Sequence, residues 1–159
     1  MDTVTGETQI DADPMVPLIR ITREFDAPAD KVFRAHTDPE LLVKWLGPRD
    51  LEMRMDTFDC RTGGSYRYVH TRGEAEFGFH GCFHEVRPSD LIIQTFTFEG
   101  VPEGVALERL TLEELPEGRT RLVVSSLVES FEARDAILAS GMEHGVREGY
   151  DKLDGLLAR

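Results

Sequence analysis

The chain has 159 residues, 40 % hydrophobic and 30 % charged, the size and mix of one globular domain. Its 30 acidic residues against 18 Lys and Arg leave a formal charge of -12, a field that repels nucleic-acid phosphates and anionic lipid headgroups, and no basic run offsets it. No apolar run approaches the roughly 18 residues of a membrane span, and the N-terminus lacks the basic start and apolar stretch of a signal peptide, so a cytoplasmic protein with neither nucleic-acid partner nor membrane insertion is expected.

Residues 1–17 carry Asp2, Glu7, Asp11 and Asp13 with no Lys or Arg and few apolar groups, which predicts a disordered acidic tail before a single domain over 18–159. LIRITREF (18–25) alternates and is rich in β-branched residues, a first strand. Two short helices follow. Pro28 suits a first turn ahead of Val32, Phe33 and Ala35, and Asp38-Pro39 supplies a cap and a first helical residue ahead of Leu41, Leu42, Trp45 and Leu46. Gly47-Pro48 ends the second.

Six strands separated by short turns come next, over 51–58, 65–72, 75–86, 91–98, 105–115 and 119–128, which predicts an antiparallel meander. Ser130 can cap a short helical segment. Leu138, Met142, Val146, Tyr150, Leu153 and Leu157 then recur at helical spacing, predicting one long amphipathic helix against the sheet. The fold class is α+β.

Four stretches together resemble a known family: FDAPADKVFRAHTDPELLVKWLGP (25–48), GGSYRY (63–68), HGCFHEVRPSDLIIQTFTF (80–98) and GMEHGVREGYDKLDGLL (141–157). TLEELPEGRTRLVV (111–124) also fits, and Asp-Pro-Glu with Trp-Leu-Gly-Pro is the most specific motif. The sequence is similar to the START-related helix-grip (SRPBCC) superfamily, in the bacterial branch related to the C-terminal domain of the activator of the 90-kDa heat-shock-protein ATPase. The resemblance implies a curved seven-stranded sheet gripping the C-terminal helix, with a cavity between them that takes apolar molecules. Val146 stands where many relatives carry an aromatic residue.

His80, Cys82 and His84 in FHGCFH raise the question of a metal. Alternate strand residues lie about 6.8 Å apart, so His80 and His84 are too far apart to share an ion comfortably, and no third ligand is visible in the sequence. No metal and no cofactor are expected. Two cysteines, Cys60 and Cys82, make no disulfide framework. If Val86 points inward, strict alternation turns His84, Cys82 and His80 inward too. They then line a cavity wall with Tyr66, Tyr68, Phe96 and Phe98. Trp45 is expected at or under the cavity mouth, and Leu110, Met142, Val146 and Tyr150 complete the expected ligand-binding set.

Glu108 shares a strand face with Ala106, Leu110 and Leu112. It reads either as a polar group inside the pocket, with burial raising its pKa, or as a strand end reaching water. With His80 and His84 it is a candidate for catalysis. Gly141, Gly145 and Gly149 form a stripe for close packing, for ligand room or for a second copy in a homodimer. No nucleophile elbow, P-loop or dinucleotide fingerprint is present. The expected function is binding of a small apolar or aromatic molecule. The alternatives are a cyclase or dehydratase acting on a polyketide-like ligand, and a regulator of a heat-shock chaperone ATPase in a stress response.

Overall fold

In a computed structural model that describes residues 6–159, eight strands form one antiparallel sheet. They are β1 (Gln9–Ala12), β2 (Leu18–Phe25), β3 (Glu52–Phe58), β4 (Ser65–Arg72), β5 (Ala75–Arg87), β6 (Leu91–Phe98), β7 (Ala106–Leu115) and β8 (Arg119–Leu127). Helices α1 (Ala29–Thr37) and α2 (Pro39–Leu42) connect β2 to β3, and α3 (Phe131–Ala139) and α4 (Met142–Leu157) follow β8. The strand order is β1-β2-β8-β7-β6-β5-β4-β3. Hairpins generate the run from β3 to β8, and β2 then pairs with β8 from Leu18↔Leu127 to Phe25↔Thr120.

The helix starts follow the sequence chemistry. The Asp38 carboxylate accepts from the Glu40 backbone N–H at 3.0 Å with Pro39 in the first turn, and the Ser130 hydroxyl accepts from Ala133 N–H at 3.0 Å. The inner face of the sheet wraps α4, the helix-grip arrangement. Tyr150, Leu153 and Leu157 are buried in one cluster with Ile19, Ile21, Phe25 and Leu122.

Three expectations change. First, Gln9–Ala12 is a strand, so the ordered sheet has eight strands rather than seven and the tail expected over 1–17 is wrong for this part. Residues 1–5 of that span lie outside the described residues. Arginines distant in sequence hold the segment. Buried Arg23 donates to Thr8 Oγ1 at 2.8 Å, Arg147 donates to the Thr8 carbonyl, and Arg134 donates to the Asp13 carbonyl at 2.8 Å. Guanidinium groups withdrawn from water need such acceptors.

Second, the periodicity from Leu138 to Leu157 is not one helix. Gly141 adopts φ 89°, which breaks it and leaves Leu138 in α3. Third, the glycine stripe divides. A Cβ at Gly149 would lie 3.1 Å from the Trp45 carbonyl oxygen, and one at Gly145 would lie 3.3 Å from Pro48 Cδ. These two glycines let the 45–48 segment close on α4 within the chain.

Candidate functional site

Strand register lays a polar row across the inner face. Phe83 pairs with Gln94, Gln94 with Glu108, Glu108 with Ser126, and Ser126 with Ile19. The row is apolar at both ends and polar in the middle. Gln94 Nε2 donates to Glu108 Oε1 at 3.1 Å and to the Tyr66 hydroxyl at 3.3 Å, and Ser126 also hydrogen-bonds the Glu108 carboxylate. Tyr66 donates its own proton to the Thr95 carbonyl at 2.6 Å. A Cβ at Gly81 would sit 2.0 Å from that carbonyl oxygen and 2.6 Å from the Tyr66 hydroxyl, so glycine there makes the bond possible.

Burial pushes the Glu108 carboxyl above its ordinary range, while hydrogen bonds from Gln94 and Ser126 pull the other way. Burial, and then the Glu108 charge, also raise the phenols of Tyr66, Tyr68 and Tyr150. One carboxylate therefore faces a region shared by tyrosines from β4 and α4. The arrangement can accept a hydrogen bond from a ligand or, once Glu108 is protonated, donate one.

Aromatic rings surround this row. Tyr68 stacks between Tyr66 and Phe79 at centroid distances of 6.1 and 5.2 Å, and Phe79 stacks on Phe96 at 5.5 Å. Phe98 meets Phe79 at 5.3 Å and is 37 % exposed, which puts it at the rim. Leu110, Met142 and Val146 are half-buried against the same core. Tyr150 is buried, edge-on to Phe25 at 5.8 Å. Trp45 is 2 % exposed, donates to the Ala35 carbonyl at 2.9 Å and stacks on Tyr150 at 5.8 Å, so it fills the closed end of the grip.

His80, Cys82 and His84 do not belong to this face. All three are exposed on the outer side, while Phe79, Gly81 and Phe83 turn inward. A bulge is the reason. β5 pairs Phe83 with Gln94 but Glu85 with Ile93, which inserts one residue and reverses the parity on which Val86 had placed the histidines. His80 Nδ1 pairs instead with Glu99 at 2.9 Å, and Glu99 also binds Arg67. Among the described residues no three His, Cys, Asp or Glu side chains form a group able to hold a metal ion.

Sequence reasoning missed Gln94, Ser126 and His70. The first two had a signal, since each is a polar residue in step with apolar neighbours on its strand: Ile92 and Phe96 for one, Val124 and Leu122 for the other. His70 is 4 % exposed, with Nδ1 buried and unpartnered, and burial followed by the nearby Lys152 cation lowers its pKa. Two open concavities lie away from the polar row: a groove of about 440 Å³ beside α4, and one of about 170 Å³ at Thr8, Arg23 and Arg147. Among the described residues no helix is long and apolar enough to cross a membrane.

Residues 26–158 match the family model described as activator of Hsp90 ATPase homolog 1-like protein. The chain belongs to this family. A solved protein from Rhodobacter sphaeroides is 30 % identical, with a TM-score of 0.85 over 94 % of this chain and 97 % of that one. One from Arthrobacter aurescens is 28 % identical, with a TM-score of 0.86 over 94 % of this chain and 91 % of that one. CalU16 from Micromonospora echinospora, 22 % identical at a TM-score of 0.61 over 95 % and 84 % of the two chains, shares the fold. No curated protein matches.

Proposed function

We propose that this family member is a cytoplasmic binding protein for a small apolar or aromatic molecule, held between the inner face of the sheet and α4. The observation that carries the reading is the Gln94–Glu108–Ser126 row, hydrogen-bonded to Tyr66 and set among aromatic rings. Binding sites combine an apolar lining with a few placed polar groups that fix orientation. Half-buried Phe79, Phe96, Met142 and Val146 supply the lining, and Glu108 supplies the anchor. A ligand with a hydroxyl or carbonyl beside an aromatic or aliphatic body suits that face.

The test is a thermal-shift and native-mass screen against fatty acids, sterols and aromatic metabolites. At least one class raises the melting temperature of the protein, and Phe96→Ala together with Glu108→Leu abolishes the shift. A panel with no hit, or a hit indifferent to both substitutions, defeats the reading.

Glu108 also favours a second reading, in which it transfers a proton to or from a bound ligand in a cyclisation or dehydration. His80 and His84 no longer contribute, because they face outward. The raised pKa brings the Glu108 carboxyl closer to neutral pH, where general acids work best. Turnover of a captured ligand, lost in Glu108→Gln with binding retained, would favour catalysis over simple binding.

A further inference from the structure

We propose that the groove between α4 and the segment after α2 is a second site, which binds a small molecule through a phosphate or diphosphate group. The groove holds about 440 Å³ and is lined by Lys44, Arg49, Lys152, Gly155, Leu156 and Arg159. Residues 152, 155 and 156 share one side of the last turns of α4, and Arg159 lies just beyond its end. Lys44 and Arg49 arrive from the opposite wall, which Gly149 admits to the helix.

Charge makes the groove unusual for this chain. The protein carries a net charge of -12, yet four of its 18 Lys and Arg residues converge here. None of the ion pairs among the described residues engages the side chains of Lys44, Lys152 or Arg159; Lys44 and Arg159 are exposed, and Lys152 is half-buried in the wall. Two carboxylates lie nearby, and one of them already meets a groove cation: Glu148 reaches Arg49 Nε at 3.9 Å. Asp151 lines the groove, but its Oδ1 is held by buried Arg23 at 3.2 Å. Glu148 accepts from the Arg49 backbone N–H at 3.0 Å and from His144 at 3.1 Å.

The C-terminal end of a helix repels anions, and this end is compensated. Lys31 Nζ donates to the Leu157 carbonyl at 2.6 Å and to the Arg159 carbonyl at 3.1 Å. A Cβ at Gly155 would meet no atom within 4 Å, so the floor of the groove is open to a ligand. Burial, and next the Arg49 cation, hold Lys152 below the ordinary lysine range; a bound dianion relieves the second of these. Lysine supplies point charge, and the arginine fork fits two phosphate oxygens at once. Leu156 offers an apolar contact for the organic part of an ester.

The experiment is calorimetric titration of the full chain with inorganic pyrophosphate, with sulfate at the same ionic strength as the comparison. Saturable 1:1 binding is expected, about tenfold or more tighter for pyrophosphate. Lys44→Gln with Lys152→Gln should weaken it at least about tenfold, and raising salt should weaken it further. Exposed Lys44→Glu should lower affinity on its own and leaves the packing of α4 untouched, so misfolding cannot imitate the result. Glu108→Gln should bind pyrophosphate as the parent does, which separates this site from the inner face. Absence of saturable binding, equal affinity for sulfate, or full affinity in the lysine variants overturns the proposal.

Discussion

The two faces of β5 carry opposite chemistry. Phe79, Gly81 and Phe83 face α4 and the aromatic cluster, while His80, Cys82 and His84 face solvent. By residue type the outer set invites a functional reading, and by position the inner set earns it. Imidazoles on an open face are shared with water. A carboxylate two strands away, with less obvious neighbours, is half-buried on the inner face, where burial raises its pKa. Surroundings decide which side chain can do chemistry.

The strongest way to break this contrast is Phe83→Ala. The ring is 4 % exposed and meets Phe58 and Tyr66 at 5.8 and 5.2 Å. Its removal should cost about 3–5 kcal/mol in denaturant unfolding. A loss below about 1 kcal/mol would mean that this face is not packed as described. Tyr66→Phe comes next. It takes the donor from the Thr95 carbonyl and an acceptor from Gln94. Leaving such a group unpaired costs about 1–3 kcal/mol, read from the same unfolding curves.

Most of the architecture was legible in the sequence, because period-2 and helical patterns with their turn residues report burial directly. The Asp38 and Ser130 caps and the inner placement of Tyr66, Tyr68, Phe96 and Leu110 followed from that. The face of FHGCFH did not. Alternation fixes parity only along an unbroken ladder, and the bulge after Phe83 leaves no mark in composition. β1 was hidden for another reason, since the arginines that hold it lie far along the chain at 23, 134 and 147. The polar row depends on register between three strands, which hydrophobic patterning does not supply.

Glu108→Gln probes the inner face through pH. A carboxyl whose folded pKa lies above its unfolded value binds protons more tightly when folded. Stability therefore falls as pH rises from the ordinary carboxylate value of 4.5 through the folded pKa. Glutamine keeps an amide able to bond Gln94 and Ser126 without the charge. The melting temperature of the variant should exceed that of the parent at pH 8, and the gap should close as pH falls toward 4.5. A gap constant across that range would place Glu108 in water.

The smallest effect belongs to the outer face. His84 is exposed, and His80 makes one exposed pair with Glu99, which keeps its bidentate contact with Arg67 when the imidazole is gone. Replacing both histidines by alanine should therefore change unfolding free energy by no more than about 1 kcal/mol. It should also leave any ligand-induced thermal shift in place, because neither ring reaches the aromatic cluster. A double variant that loses ligand response while remaining folded would reverse the assignment of the two faces. The bulge after Phe83 would then have to be absent from the ligand-bound protein, since only restored alternation brings His80 and His84 to the side of Val86.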